Sequence, residues 1–188
     1  MDYLVYNIAD LPAGDPALLD AEEQAAYARR GAAYLSIRCV LKQELARRCG
    51  MAAEEVHLTT GEHGKPSFAP QPFNISHSHG LLCMAFHHSA VGVDIEHHRQ
   101  RPAERLARHF MAPEQLQAFM ARGCPQQEFF DCWCAAEALV KQAGKSIWQV
   151  KEFPFLYDHG RILPQYDSAP AHIILFTPAP GFSGAIAF

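Results

Sequence analysis

The feature that most limits how this chain can fold is the order in which its hydrophobic periodicity changes. Residues 20–50 carry apolar positions at helical spacing: Asp20 is placed to cap, Glu23 stands where a capping-box acid belongs, and Tyr34, Ile37, Leu41 and Leu45 continue one stripe. Gly31 divides this stretch and Gly50 ends it. From Val56 to Glu96 short apolar runs alternate with Gly, Pro, Ser and Asn turns, the pattern of antiparallel strands. Residues 102–143 return to helical spacing, with Pro113 near a first-turn position and a further helix that begins after Pro125 and stops near Gly144. The tail reads again as strands and turns. Helices, strands, helices, strands predict an α+β protein of two similar halves, 1–90 and 91–188, meeting near residue 90.

Composition narrows the function classes. With 188 residues, 49% of them hydrophobic and 19% charged, the chain can build its own core. A net charge of -4 argues against a sequence-independent nucleic-acid binder, which needs a basic surface to displace phosphate counterions. The start, MDYLVYNIADLPAG, lacks the basic and long apolar segments of a secretory signal, and no 18-residue apolar run predicts a membrane span, so a cytoplasmic location is expected. Six cysteines without a CxxC pair are then expected to be reduced thiols. Cys132 and Cys134, two apart on a helix, diverge and read as small buried hydrophobes.

The stretch VGVDIE, residues 91–96, alternates Val91, Val93 and Ile95 with Gly92, Asp94 and Glu96. On a strand this places two carboxylates on one face, where they repel unless water, a cation or a base offsets them. In the last long helix Glu137 and Lys141 stand four apart, which alone describes a solvated ion pair worth about 0.3–0.5 kcal/mol. Beside the two strand acids, Glu137 completes an all-oxygen set suited to Mg²⁺, a cation that keeps waters and takes phosphate oxygens from its substrate. FNISHS, residues 73–78, alternates apolar and polar residues before His77. GEHGKP, residues 61–66, reads as a turn from which Lys65 can point at an anion. The 11 histidines, several in pairs, match no familiar zinc spacing.

Taken in series, GKP, FNISHS, GVDIE, RHFMAPEQ and WCAAEALVKQAGKSI resemble the 4'-phosphopantetheinyl transferases of the surfactin-synthetase-activating type, well over residues 61–147 and loosely outside them. The resemblance implies two pseudo-symmetric α+β halves with coenzyme A in the cleft between them. It also implies transfer of the phosphopantetheinyl arm to a serine of an acyl or peptidyl carrier protein, with release of 3',5'-adenosine bisphosphate. Carried over, Asp94, Glu96 and Glu137 would hold Mg²⁺ and Lys141 would neutralise phosphate charge. Lys65, Ser76 and His77 would sit near coenzyme A phosphates, and Glu137 would serve as base for the acceptor hydroxyl. Ala136 and Ala33 stand where the family usually carries lysine and arginine, with Arg29, Arg30 or Arg38 nearby to compensate for the second. An Ala136→Lys substitution is therefore expected to add a coenzyme A contact. The rival readings are a non-catalytic binder of coenzyme A or carrier protein and a histidine-rich zinc protein. A cleft built within one chain favours a monomer.

Overall fold

The computed structural model describes residues 1–61, 64–167 and 172–188. Its elements follow the predicted order. Strand β1 (Asp2–Asn7) leads to helices α1 (Ala21–Arg30) and α2 (Ala32–Cys49), then to β2 (Thr59–Thr60), β3 (Pro66–Ser67), β4 (Phe73–Ser78), β5 (Leu81–Phe86) and β6 (Gly92–His97). Helices α3 (Ala103–Phe110), α4 (Pro113–Ala121) and α5 (Gln126–Gln142) come next, followed by β7 (Phe155–Asp158), β8 (Arg161–Pro164), β9 (Ile173–Phe176) and β10 (Phe182–Ala187).

The punctuation acts as its chemistry dictates. Asp20 accepts from the Glu23 amide while Glu23 accepts from the Asp20 amide, so α1 opens on a closed capping box. Gly31 stands between α1 and α2, and Gly50, in the left-handed region at φ 67°, ends α2. Pro113 opens α4. Glu62 and His63 of the expected GEHGKP turn lie outside the described residues, but the Gly61 amide donates to the Lys65 carbonyl across it.

Two three-stranded antiparallel sheets, ordered β1-β5-β4 and β6-β10-β9, carry the architecture. Helix α2 packs on the first through Leu41 and Leu45 against Phe73, Leu82, Met84 and Phe86. Helix α5 lies on the second, against β6 and β10. A cluster of small apolar residues, among them Cys83, Ala85, Val93, Ile95 and Ile186, joins the sheets. Strand β6 is covered on both faces from Gly92 to Ile95, while Glu96 near its far end is half-buried. Val93 and Ile95 enter the joining cluster, and Gly92 lies so close to α5 that a Cβ there would meet the Ala138 carbonyl oxygen at 2.0 Å. Cys132 and Cys134 are fully buried, as expected.

Candidate active site

Strands β4 and β6 lie side by side without forming a backbone ladder. Strand β6 pairs with β10 on one edge; on the other, alternate amides at Val93, Ile95 and His97 face β4. Each is taken by a side chain: Asn74 Oδ1 accepts from Val93 at 2.8 Å, Ser76 Oγ from Ile95 at 3.3 Å and Ser78 Oγ from His97 at 3.2 Å. The polar half of FNISHS is thus a seam. It satisfies an edge that would otherwise be open.

The seam brings the acids together. Asp94, Glu96 and Glu137 line one cavity of about 300 Å³ with Ser76, His77 and Lys141. Asp94 is buried; its Oδ1 accepts from Ser76 Oγ at 2.8 Å and from Lys141 Nζ at 2.7 Å, while Oδ2 is buried with no partner among the described residues. Glu96 Oε2 accepts from Ser78 Oγ at 3.0 Å. Lys141 is therefore not half of a solvated pair with Glu137. It reaches across to Asp94 because α5 lies against β6 and turns its last full turn toward that strand. Burial alone would lower the Lys141 ammonium, but Asp94, by charge and hydrogen bond, and Glu137 push it up. Burial raises the Glu137 carboxyl, with Asp94 and Glu96 adding repulsion and Lys141 opposing them.

Lys65 stands in a larger adjoining cavity of about 580 Å³ that Glu137 and Lys141 also line. Its Nζ donates to the Lys141 carbonyl at 2.6 Å and to the Val91 carbonyl at 3.3 Å, so it caps the C-terminal end of α5. Burial, and secondarily Lys141, push its pKa down to about 8. His77 is exposed at the mouth of the smaller cavity. A third cavity, of about 170 Å³, is lined by Arg29, Arg30, Tyr34 and Arg38 and shares Gly64 and Pro66 with the Lys65 cavity. Arg38 Nη1 is buried there without a partner among the described residues.

One expectation is corrected. Ala136 is 0% exposed and packs inside the core between α5 and its sheet, so a lysine there would overpack that core instead of reaching a ligand. Two residues escaped the sequence reading, Asn74 and Ser78. The signal that could have found them is the match in length and period between FNISHS and GVDIEH.

Among the described residues, no three His, Cys, Asp or Glu side chains lie close enough together to hold a metal ion by themselves. The three cavity carboxylates nonetheless fit Mg²⁺ in chemistry: all donors are oxygen, one buried carboxylate oxygen lacks a partner, and this cation fills its remaining positions with water and substrate.

Residues 90–175 match the 4'-phosphopantetheinyl transferase superfamily. The chain is 27% identical over 157 residues to the 4'-phosphopantetheinyl transferase Sfp of Bacillus subtilis, covering 78% of this chain and 69% of that protein. It is 31% identical over 130 residues to the 4'-phosphopantetheinyl transferase AcpT of Salmonella typhimurium, covering 65% of this chain and 68% of the relative. The chain belongs to the 4'-phosphopantetheinyl transferase superfamily. Across the curated relatives compared, the matched part spans 50% to 69% of their own length. The family match takes in β6 and α5, the two elements that supply the three acids and Lys141.

Proposed function

We propose that this chain transfers the 4'-phosphopantetheine arm of coenzyme A to a serine of an acyl or peptidyl carrier protein, acting with Mg²⁺ as a cytoplasmic monomer, in the cleft between residues 1–90 and 91–188. The observation that carries the reading is the convergence of Asp94, Glu96, Glu137 and Lys141 on one cavity, in a chain of this family. No helix of the described residues is long and apolar enough to cross a membrane.

Asp94, Glu96 and Glu137 would hold the cation, which when bound neutralises charge on the pyrophosphate. The serine oxygen bonds to the phosphorus that carries the pantetheine arm, and the pyrophosphate P–O bond breaks. 3',5'-Adenosine bisphosphate leaves with the electron pair. Glu137, directly or through a water, accepts the hydroxyl proton, being the cavity carboxylate that comes from the helix and not from the strand. Lys141 stays charged against Asp94 and supplies positive field to the leaving phosphate. Lys65 and His77 meet coenzyme A phosphates, with Ser76 holding Asp94 beside them. Arg29, Arg30 and Arg38 supply the positive charge that Ala33 does not, in a cavity that Asp20, Glu22 and Glu23 also line. Positioning and electrostatics supply the rate, and no covalent enzyme intermediate forms.

The test is intact-mass analysis of several apo-carriers incubated with the chain, coenzyme A and Mg²⁺. One carrier should gain the phosphopantetheine mass. Glu96→Gln and Glu137→Gln should each lower turnover at least about a hundredfold with unchanged far-ultraviolet dichroism, since each removes a charged ligand of a hard cation. Tight coenzyme A binding with no carrier modified would select the binding-module reading instead.

A further inference from the structure

The seam between β4 and β6 does more than close an edge. Of its three side chains, Asn74 touches only the backbone of β6, whereas Ser76 and Ser78 each also donate to an acid, at Asp94 Oδ1 and Glu96 Oε2. Each hydroxyl has a single proton and directs it at one carboxylate oxygen while a β6 amide holds its lone pair. A carboxylate so held cannot rotate freely. We propose that Ser76 and Ser78 are positioning residues that fix which oxygen each acid presents to a cation, leaving Asp94 Oδ2 and Glu96 Oε1 for it.

The proposal rests on the metal reading above. Asp94 Oδ1 already has two partners, Ser76 and Lys141, so Oδ2 is the oxygen with unused acceptor capacity, and it is the one buried without a partner among the described residues. On Glu96, Ser78 occupies Oε2. Both acids then bind through one oxygen each, which suits Mg²⁺ because its small octahedron accommodates single oxygens better than bidentate carboxylates. The amides that hold the serines belong to Ile95 and His97, the residues that follow each acid on the strand. A hydroxyl is thereby locked to the carboxylate it serves.

Mn²⁺ serves as the probe, its free concentration read by electron paramagnetic resonance in the presence of coenzyme A, with thermal unfolding measured alongside. Ser78→Ala should weaken Mn²⁺ binding about tenfold, the scale of losing a hydrogen bond that orients a ligand. Ser78→Thr, which keeps the hydroxyl, should restore it to within about twofold of the original protein. Asn74→Ala breaks the same seam without touching an acid, so it should lower the melting temperature while leaving Mn²⁺ affinity within about twofold. Equal weakening by Asn74→Ala and Ser78→Ala would overturn the proposal, since loosening the seam anywhere would then suffice. Glu96→Gln separates the two levels. If it weakens Mn²⁺ binding and Ser78→Ala does not, the positioning role alone fails; if Glu96→Gln has no effect, the metal assignment itself fails.

Discussion

Lys65 shows how much one side chain depends on where the fold sends it. Its ammonium caps α5 at the Lys141 carbonyl, and burial holds its pKa at about 8, well below the ordinary value of 10.5. Below pH 8 it is charged in the folded chain; between 8 and 10.5 the folded chain has lost a proton that the unfolded chain keeps, so stability gains from this group as pH rises through that window. Ligand binding runs the other way. A phosphate beside Lys65 favours the charged form, so coenzyme A affinity should be flat below pH 8 and fall to about a tenth of that value by pH 9, with proton uptake on binding. Titration calorimetry in two buffers of different ionisation enthalpy measures both. In Lys65→Arg, whose guanidinium stays charged, the decline should disappear. If it persists unchanged, another group is responsible and Lys65 does not meet the phosphates.

Among the elements, β6 and α5 form the pair on which the site depends, and Gly92 is what lets them approach. A side chain there would drive a Cβ to 2.0 Å from the Ala138 carbonyl and 2.5 Å from the Gln142 amide, both rigid helix backbone. Gly92→Ala should cost about 1–3 kcal/mol or more by urea denaturation. It should also lower transfer, because pushing α5 off β6 lengthens the Lys141–Asp94 contact. Ala136→Lys should destabilise on the same scale without improving coenzyme A affinity, since that position is core. These two residues also mark the limit of reading the sequence. The element order, the caps at Asp20 and Gly50 and the acids of VGVDIE were legible, because periodicity and capping are local chemistry. That Lys141 would pair with Asp94 and not with Glu137, and that Ala136 would be core and not cleft, depends on how α5 is rotated against β6. Helical spacing alone does not carry that angle. The seam was half visible: its polar period was plain, but which strand it would meet was not.

At the scale of the whole molecule, the first sheet and α2 enclose one core and the second sheet, α3, α4 and α5 another. They are joined by the small apolar cluster around Val93 and Ile95, by the three seam bonds and by the Lys65 cap on α5. A joint that is apolar at its centre and hydrogen-bonded along its edge leaves little for either part to gain by unfolding alone, so one cooperative transition is expected. The sequence provides a means to check it. Both tryptophans fall in the second part, Trp133 packed beside Phe110 on α5 and Trp148 92% exposed on the turn after it, so tryptophan emission reports residues 91–188 only. Far-ultraviolet dichroism reports the helices of both parts. Leu41→Ala, at a fully buried position of α2 in the first core, should cost about 2–5 kcal/mol. In a cooperative molecule that loss moves the tryptophan transition to lower urea by the same amount as the dichroism transition, although no tryptophan lies in the altered core. An emission midpoint that stays in place while the dichroism curve splits would show that the two parts unfold separately. The cleft would then be held by contacts weaker than the seam described above.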